Sequence, residues 1–488
     1  MKRMIADTSS AEKLTVMVGA GASMEAGLPG WETLVERLVV QAGRESGLAF
    51  GDDDPMSESK WVSEVSRDGP LGAAAIVDAL VGSKRDKLLR RELFGEKKGP
   101  ANYLPGETSI QLARLYEAFG SKLRILTTNY DDLIEQAFRQ VGKFKPLAIA
   151  TDNHLCGPNQ VEIFHLHGYL GRDKRPRGQL ILSEGDYQAM QRGNCWQEQL
   201  VSNSMRDSVL LFIGSSLVDP NMLRYLHHGD STGEIPKYAV FVRQGTYGKD
   251  VNPEVIKARE LALVARWKAV GVVPIFLDHY QDVAQLIHEI GKARREGDSY
   301  IPLPERGKRW VKRVERDLLQ FRSSKFTTAQ RLIVEQFSTA LESAISAAEE
   351  LEQRKWQETV AMSMWLVDAS GEHLTNWVTT DRLHLDPKTV EPVRIDEHAK
   401  WVAVRTFCRG ISMAEERDVY ASRWHFIRSI PLVIEKSPLG RLPVGCLTIA
   451  TMASGRDSML NVMEDVVEKK FNRAMRDSAL DLLELPFA

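Results

Sequence analysis

Cysteine is scarce in this sequence: four residues in 488, namely Cys156, Cys195, Cys408 and Cys446. No two of them form a CxxC pair, which argues against a disulfide framework and against a cysteine-rich zinc site. Long apolar runs are missing as well. No stretch reaches the roughly 18 apolar residues that a membrane span needs. The opening MKRMIADTSS carries two basic residues with no apolar core behind them, which is not the pattern of a secretory signal. Neither sign of charge dominates: the formal net charge is −2, so no global bias points to nucleic acid or to an acidic partner. These absences together predict a cytoplasmic protein without membrane partners.

What is present is ordinary globular material in quantity. Hydrophobic residues make up 43% and charged residues 27% of the chain, and the length suggests two or three domains. Up to about residue 295, short apolar runs alternate with helical periodicity. Strands are expected at Leu14 to Val18, Leu123 to Leu126, Val161 to Phe164, Leu180 to Leu182, Val209 to Ile213, Tyr238 to Val242 and Val272 to Leu277. Between several of them lie helical patterns, such as Trp31, Leu34, Val35, Leu38 and Val39, or Leu133, Ile134, Ala137, Phe138 and Val141, the latter stopped by Gly142. Such alternation predicts an α/β fold, a Rossmann-like doubly wound parallel sheet covered on both faces. Residues 43–106 interrupt the rhythm and read as a helical insertion. Residues 296–327 read as a basic linker entering a solvated helix, with a phosphate- or nucleic-acid-binding stripe as the sharper alternative. From 328 to 488 a smaller α+β domain is expected. It opens with a long helix over Thr327 to Trp356. Strands follow at Ala361 to Val367, Trp401 to Thr406, His425 to Ile434 and Val444 to Thr451, and a helix over Ser458 to Met475 closes it.

Four segments carry the chemistry. Gly19, Ala20, Gly21, Ala22 and Ser23 follow a strand and precede a helix, where glycines admit a pyrophosphate and a helix N-terminus offers free N–H groups. Thr127, Thr128, Asn129, Tyr130 and Asp131 close another strand. Asn129 there can bond a ribose hydroxyl or fix a water, or it can simply cap a helix. Phe164-His165-Leu166-His167-Gly168 follows a third strand. Its histidines suit proton transfer, and they would share a face if the strand ran that far. Gly214, Ser215, Ser216, Leu217, Val218, Asp219, Pro220 and Asn221 make a second small-residue turn able to hold a ribose or a phosphate. All four sit where open α/β sheets gather ligands.

In this order and at these separations, GAGAS with GLP, TTNYD, LHG and GSSLVDPN resemble the Sir2 family of NAD-dependent deacylases and NADases, over roughly residues 11 to 295. The segment Ser183-Glu184-Gly185-Asp186-Tyr187 also looks like one found in the family's bacterial defence branch. The resemblance implies that Gly19 to Ser23 and Gly214 to Ser216, with Thr128 and Asp219, bind the dinucleotide. It further implies that Asn129 and Asp131 lie at the nicotinamide ribose and that His167 is the catalytic histidine. Two departures matter. Familiar deacylases carry a four-cysteine zinc ribbon after the histidine motif, where only Cys195 stands here. Their Asp-Phe-Arg run is replaced by Gly30-Trp31-Glu32. The resemblance therefore favours an NAD glycohydrolase of the antiphage type, with NAD as substrate and no metal. A protein deacylase and a non-catalytic NAD or ADP-ribose sensor are the alternatives. The C-terminal region resembles a GAF-type sensor domain, which implies control by an unidentified ligand, a partner protein or self-association into a homo-oligomer.

Overall fold

The computed structural model describes residues 1–48, 50, 57–95, 103–152, 157, 159–171, 176–191, 195–217, 219–228, 235–243, 246, 251–307, 309–310, 326–368, 370–381, 391–396, 398–417, 422–434, 441–454 and 457–484. Cys156 and residues 308 and 311–325 of the basic linker lie outside them. The chain divides into two compact units, Met1–Tyr300 and Ile301–Ala488. No helix among the described residues is long and apolar enough to cross a membrane.

The first unit is built on a seven-stranded sheet. Its strands are β1 (Leu14–Val18), β2 (Leu123–Thr127), β3 (Lys145–Ile149), β4 (Gln160–His165), β5 (Val209–Ile213), β6 (Lys237–Val242) and β7 (Val272–Leu277). Their order is β3-β4-β2-β1-β5-β6-β7, and every pairing is parallel. From β1 the chain adds β2 beside it, β3 at the left edge and β4 between the two, then returns to add β5, β6 and β7 on the right. The direction therefore switches between β1 and β5, where doubly wound sheets open a ligand crevice. The central strands β1 and β5 are buried along their whole length, as expected of strands covered on both faces. One face packs Val16, Ile125, Ile163 and Leu211 against the helices Glu107–Phe119 and Tyr280–Glu296, through Leu115 and Ile287. The other face packs Met17, Leu126 and Phe212 with Val201, Tyr225 and Trp267.

Helices Glu58–Val65, Gly69–Val81 and Arg85–Phe94 occupy the interruption before β2. They share an apolar cluster with Leu34, Leu38, Tyr130, Leu180 and Leu182. This cluster overturns one expectation: Leu180 to Leu182 is not a strand. The edge beyond β4 is already taken by β3. The three apolar residues instead run as a loop, with Leu180 and Leu182 buried against the inserted helices and Ile181 against Tyr187 and Met190.

The second unit holds an antiparallel sheet of β8 (Val360–Val367), β9 (His373–Thr379), β10 (Val393–Arg394), β11 (Met413–Glu416), β12 (Phe426–Ile434) and β13 (Leu442–Thr451), in the order β10-β9-β8-β13-β12-β11. Residues of the helices Phe326–Glu352 and Asp465–Glu484 join one buried cluster on this sheet, and those of the helix Val402–Arg409 join another. That last helix corrects a second expectation, of a strand over Trp401 to Thr406. Val402, Val404, Thr406 and Cys408 alternate in sequence. The pairs Val402/Thr406 and Val404/Cys408 are also four apart, one helical turn, and all four are buried. Gly410 ends the helix in the left-handed conformation.

In the first unit the turns after β1 and β5 touch. A Cβ on Gly19 would lie 2.5 Å from the Gly214 carbonyl oxygen, and one on Gly214, whose φ is +62°, would lie 2.6 Å from the Ala22 nitrogen. The Gly214→Ala variant should lose about 1–3 kcal/mol from the backbone conformation alone, read as a lower denaturant midpoint. An unchanged midpoint would show that Gly214 is not held in the left-handed conformation.

Candidate functional site

The register of the sheet brings the four segments together. Val18 of β1 pairs with Thr127 of β2 and with Ile213 of β5, and Thr127 pairs with His165 of β4. These residues form one row across four neighbouring strands, and each is the last residue of its strand. GAGAS, TNYD, LHG and GSS therefore leave the sheet side by side. Asn129 and His167 each stand two residues beyond the row, on neighbouring strands.

The glycine turn does not present a row of free donors, contrary to expectation. The Gly21 N–H donates to the Gly214 carbonyl (2.8 Å), Ala22 to Gly19 (3.1 Å), and Ser23 and Met24 to Ala20 (3.0 and 3.2 Å). The helix it opens is a single turn, Gly21–Met24. What the turn supplies is close approach: Gly19 and Gly21 bring their backbone against Gly214, and the Gly19 carbonyl faces Asn129. Thr128 is half-buried and its N–H donates to the Val18 carbonyl (3.2 Å).

Asn129 is buried and held from every side. Its N–H donates to Thr127 Oγ1 (3.0 Å), and its side-chain Nδ2 donates to the Gly19 carbonyl (3.1 Å) and to Ser23 Oγ (2.9 Å). Its Oδ1 is buried with no hydrogen-bond partner among the described residues. A buried acceptor left unpaired costs about 1–3 kcal/mol, so a fixed and unmatched Oδ1 marks a place built for a donor. Ser23 Oγ in turn donates to Asp131 Oδ2 (2.7 Å), and Asp131 Oδ1 accepts the Leu133 N–H (3.1 Å). Burial pushes the Asp131 carboxyl up to about 6, against the pull of those hydrogen bonds.

The two histidines part company because β4 ends at His165 and His167 lies in the following turn. His165 is fully buried, with Nδ1 2.9 Å from the Asn129 carbonyl oxygen and Nε2 2.8 Å from Glu135 Oε1. Burial pulls its pKa down, but the Glu135 carboxylate and the two hydrogen bonds outweigh that and raise it. His167 Nε2 lies 3.3 Å from Asp219 Oδ2, and its ring meets Tyr187 edge-on with centroids 5.5 Å apart. Burial lowers the His167 pKa, only partly opposed by Asp219, so this imidazole is neutral at neutral pH and free to accept a proton.

Asp219 is already engaged. Its Oδ2 accepts the Tyr187 hydroxyl (2.5 Å) and its Oδ1 caps the next helix through the Met222 N–H (2.8 Å). Burial and the neighbouring Asp219 raise the Tyr187 pKa and keep the phenol a donor. Ser215 Oγ accepts the Leu217 N–H (3.1 Å), and Ser216 is exposed. Leu217 is a buried, non-glycine residue at φ +56°, a strained conformation of the kind that collects at functional loops.

The structure thus joins Gly19, Ser23, Asn129 and Asp131 in one network and His167 with Asp219 in another. Two residues enter from outside the motifs, Glu135 and Arg85, and one motif residue, Asn221, gains a specific place. Glu135 sits one helical turn after Asp131 and looks in sequence like a solvent-facing residue. Asn221, in the GSSLVDPN turn, is buried with Oδ1 unpartnered among the described residues. Arg85, from the helical insertion, holds Asp186 through Nη1 (3.0 and 2.9 Å) and the Leu180 carbonyl through Nη2 (3.1 Å). It thereby anchors the segment that carries Tyr187. The hydrogen bond from the Ile181 N–H to the His167 carbonyl (3.0 Å) ties the same segment to the histidine turn.

Residues 123–274 match the family described as SIR2-like domain, a match that takes in Asn129, His167 and Asp219 and begins after the glycine turn. The NAD(+) hydrolase ThsA of Acinetobacter baumannii (strain 532279) is 24% identical over 177 residues. That match covers 35% of this chain and 36% of the relative, about a third of the relative's length. Among solved structures, a Sir2 homologue in complex with NAD aligns over 60% of this chain and 95% of its own, at 15% identity and a TM-score of 0.30. Sir2Tm bound to a propionylated peptide aligns over 62% and 99%, at 12% identity and a TM-score of 0.26.

The raised Asp131 carboxyl has a measurable consequence. The folded state keeps its proton up to about pH 6, whereas the unfolded chain releases it near 3.8. Its stabilising contribution is complete below the unfolded value and is lost as pH rises through about 6. A shift of this size corresponds to about 3 kcal/mol. Against Asp131→Asn, which keeps the hydrogen-bonding shape, the unmodified chain should lose stability progressively from pH 4 to pH 8 in denaturant unfolding. A pH-independent difference between the two would show that the carboxyl is not shifted.

Proposed function

We propose that this chain, which carries a SIR2-like domain, hydrolyses NAD at the bond between nicotinamide and ribose, releasing nicotinamide and ADP-ribose. The observation that carries the reading is Asn129: a buried amide fixed by three hydrogen bonds, with one acceptor unmatched, leaving the same row of strand ends as the neutral, buried His167. A ribose hydroxyl or an attacking water brings the donor that Asn129 Oδ1 lacks.

The chemistry asks little beyond orientation and proton removal. Nicotinamide is cationic in NAD and leaves with the electron pair of the broken C–N bond. The ribose carbon passes through an oxocarbenium-like state, and the oxygen of a water closes the new bond. Asn129 orients the water or the ribose hydroxyls. His167, uncharged at neutral pH, takes up the proton directly or through a ribose hydroxyl. The turns at Gly19 to Ser23 and Gly214 to Ser216, with Thr128, flank the crevice where the dinucleotide lies. Asp131 and Asp219 hold Ser23 and His167 in place from behind.

The second unit is part of the same proposal. An unrestrained NAD hydrolase would drain its own cell, so a separate α+β unit suits a restraint released by a ligand, a partner protein or self-association. That arrangement fits an effector that depletes NAD during antiviral defence.

The test is an assay of nicotinamide and ADP-ribose released from NAD, with and without an acyl-lysine peptide. The account expects release without peptide. Asn129→Ala and His167→Ala should each lower turnover by about 10²–10⁴-fold at an unchanged far-ultraviolet circular dichroism spectrum. Residues 1–300 alone should turn over at a different rate from the full chain. Release only with peptide would instead make the chain a deacylase. Full activity in either folded variant would remove that residue from the mechanism.

A further inference from the structure

We infer that His165 and Glu135 are a positioning pair that sets the Asn129 side chain, an inference that rests on the NAD-cleaving reading of the site. A backbone carbonyl only accepts hydrogen bonds, so the 2.9 Å contact between His165 Nδ1 and the Asn129 oxygen requires a proton on Nδ1. The other ring nitrogen, 2.8 Å from Glu135 Oε1, faces a carboxylate. The ring therefore bridges β4 to the residue that follows β2, and Glu135 fixes its orientation from the helix Leu133–Val141. Tyr169 closes the ring's edge, with centroids 4.7 Å apart.

The energetics favour a role other than stability. Both side chains are essentially inaccessible, with His165 0% and Glu135 1% exposed. Burying an ion pair costs several kcal/mol per ion in desolvation, and apolar residues of similar volume usually serve stability as well or better. The surrounding positions are apolar already: Ile163, Phe164 and Leu166 on the same stretch are buried. At this one position the sequence spends a charged pair, and its outer nitrogen holds the peptide of Asn129. With the carbonyl held by His165 and the N–H by Thr127 Oγ1, the peptide plane on each side of Asn129 is fixed. That aims Nδ2 at Gly19 and Ser23 and leaves Oδ1 as the unmatched acceptor. His165 and Glu135 act through Asn129, not on the substrate.

Three substitutions in the full chain test this. His165→Leu fills the space but donates nothing. His165→Asn places an amide Nδ2 near the position of the imidazole Nδ1, which restores the donor without the ring. Glu135→Gln keeps the shape and removes the charge. In steady-state NAD cleavage, His165→Leu should lower kcat by about 10–100-fold, the scale of a misplaced catalytic group. KM should move less than about threefold, as for an interaction felt mainly in the transition state. His165→Asn should recover at least about tenfold of that loss, and Glu135→Gln should fall between the two. Crystal structures give a readout without activity: in His165→Leu the Asn129 side chain should leave Gly19 and Ser23, and in His165→Asn it should keep both. Loss of kcat that follows melting temperature, with no recovery in His165→Asn, would overturn the inference. So would an Asn129 that stays in place in the His165→Leu crystal. A wild-type chain that releases no nicotinamide would defeat the NAD-cleaving reading instead, while the crystals would still decide the positioning.

Discussion

Val18 pairs with Thr127 and with Ile213, and Thr127 pairs with His165, so four parallel strands stop on a single row. Everything proposed for the first unit depends on that register. A slip of one residue would turn the strand ends to opposite faces and separate Asn129 from Gly19 and Ser23. The register is held by buried strands on both sides of the switch and by direct contact between the turns, where Gly19 and Gly214 leave no room for a side chain. The glycines thus serve the site by packing two loops against each other, with the Gly19 and Gly21 N–H groups donated across to the Ile213 and Gly214 carbonyls.

A second consequence of burial is the charge state of the site. Asp131, His165 and His167 are all buried, yet they end in different states because their neighbours differ. Asp131 has two hydrogen bonds and the nearby His165 to offset desolvation, too little to prevent a rise to about 6. His165 faces Glu135 and is held toward its charged form. His167 has Asp219 on one side, too weak to overcome desolvation, and stays neutral. Two histidines separated by a single residue in sequence are thereby held in opposite states, one toward its charged form and one neutral.

Much of the first unit was legible because its strands are short, largely apolar runs and its chemistry sits in turns directly after them. Six of the seven strands announce themselves in this way. β3 does not: its short apolar run, Leu147 to Ala150, follows Lys145-Pro146 at the sheet edge, and a proline at the head of a run argues against a strand. Leu180 to Leu182 carried the opposite ambiguity, since three apolar residues bury equally well in a strand or beneath inserted helices. In the second unit, the Val402 to Cys408 stretch fits both a two-residue and a four-residue period, and only Gly410 discriminates. Within the site, Asn129 and His167 stood out by residue type and place. Glu135 and Arg85 did not, because an isolated charged residue on a helix reads as solvent-facing until the fold closes over it.

In the proposed reaction the unmatched Oδ1 of Asn129 takes its donor from the nicotinamide ribose or the attacking water. A crystal structure of the full chain with a non-hydrolysable NAD analogue tests this most directly. The dinucleotide is expected across the β1/β5 switch, with a ribose hydroxyl or an ordered water within hydrogen-bonding distance of Asn129 Oδ1 and the ribose beside His167. A dinucleotide bound elsewhere, or bound in the crevice with Oδ1 still unpartnered, would contradict it.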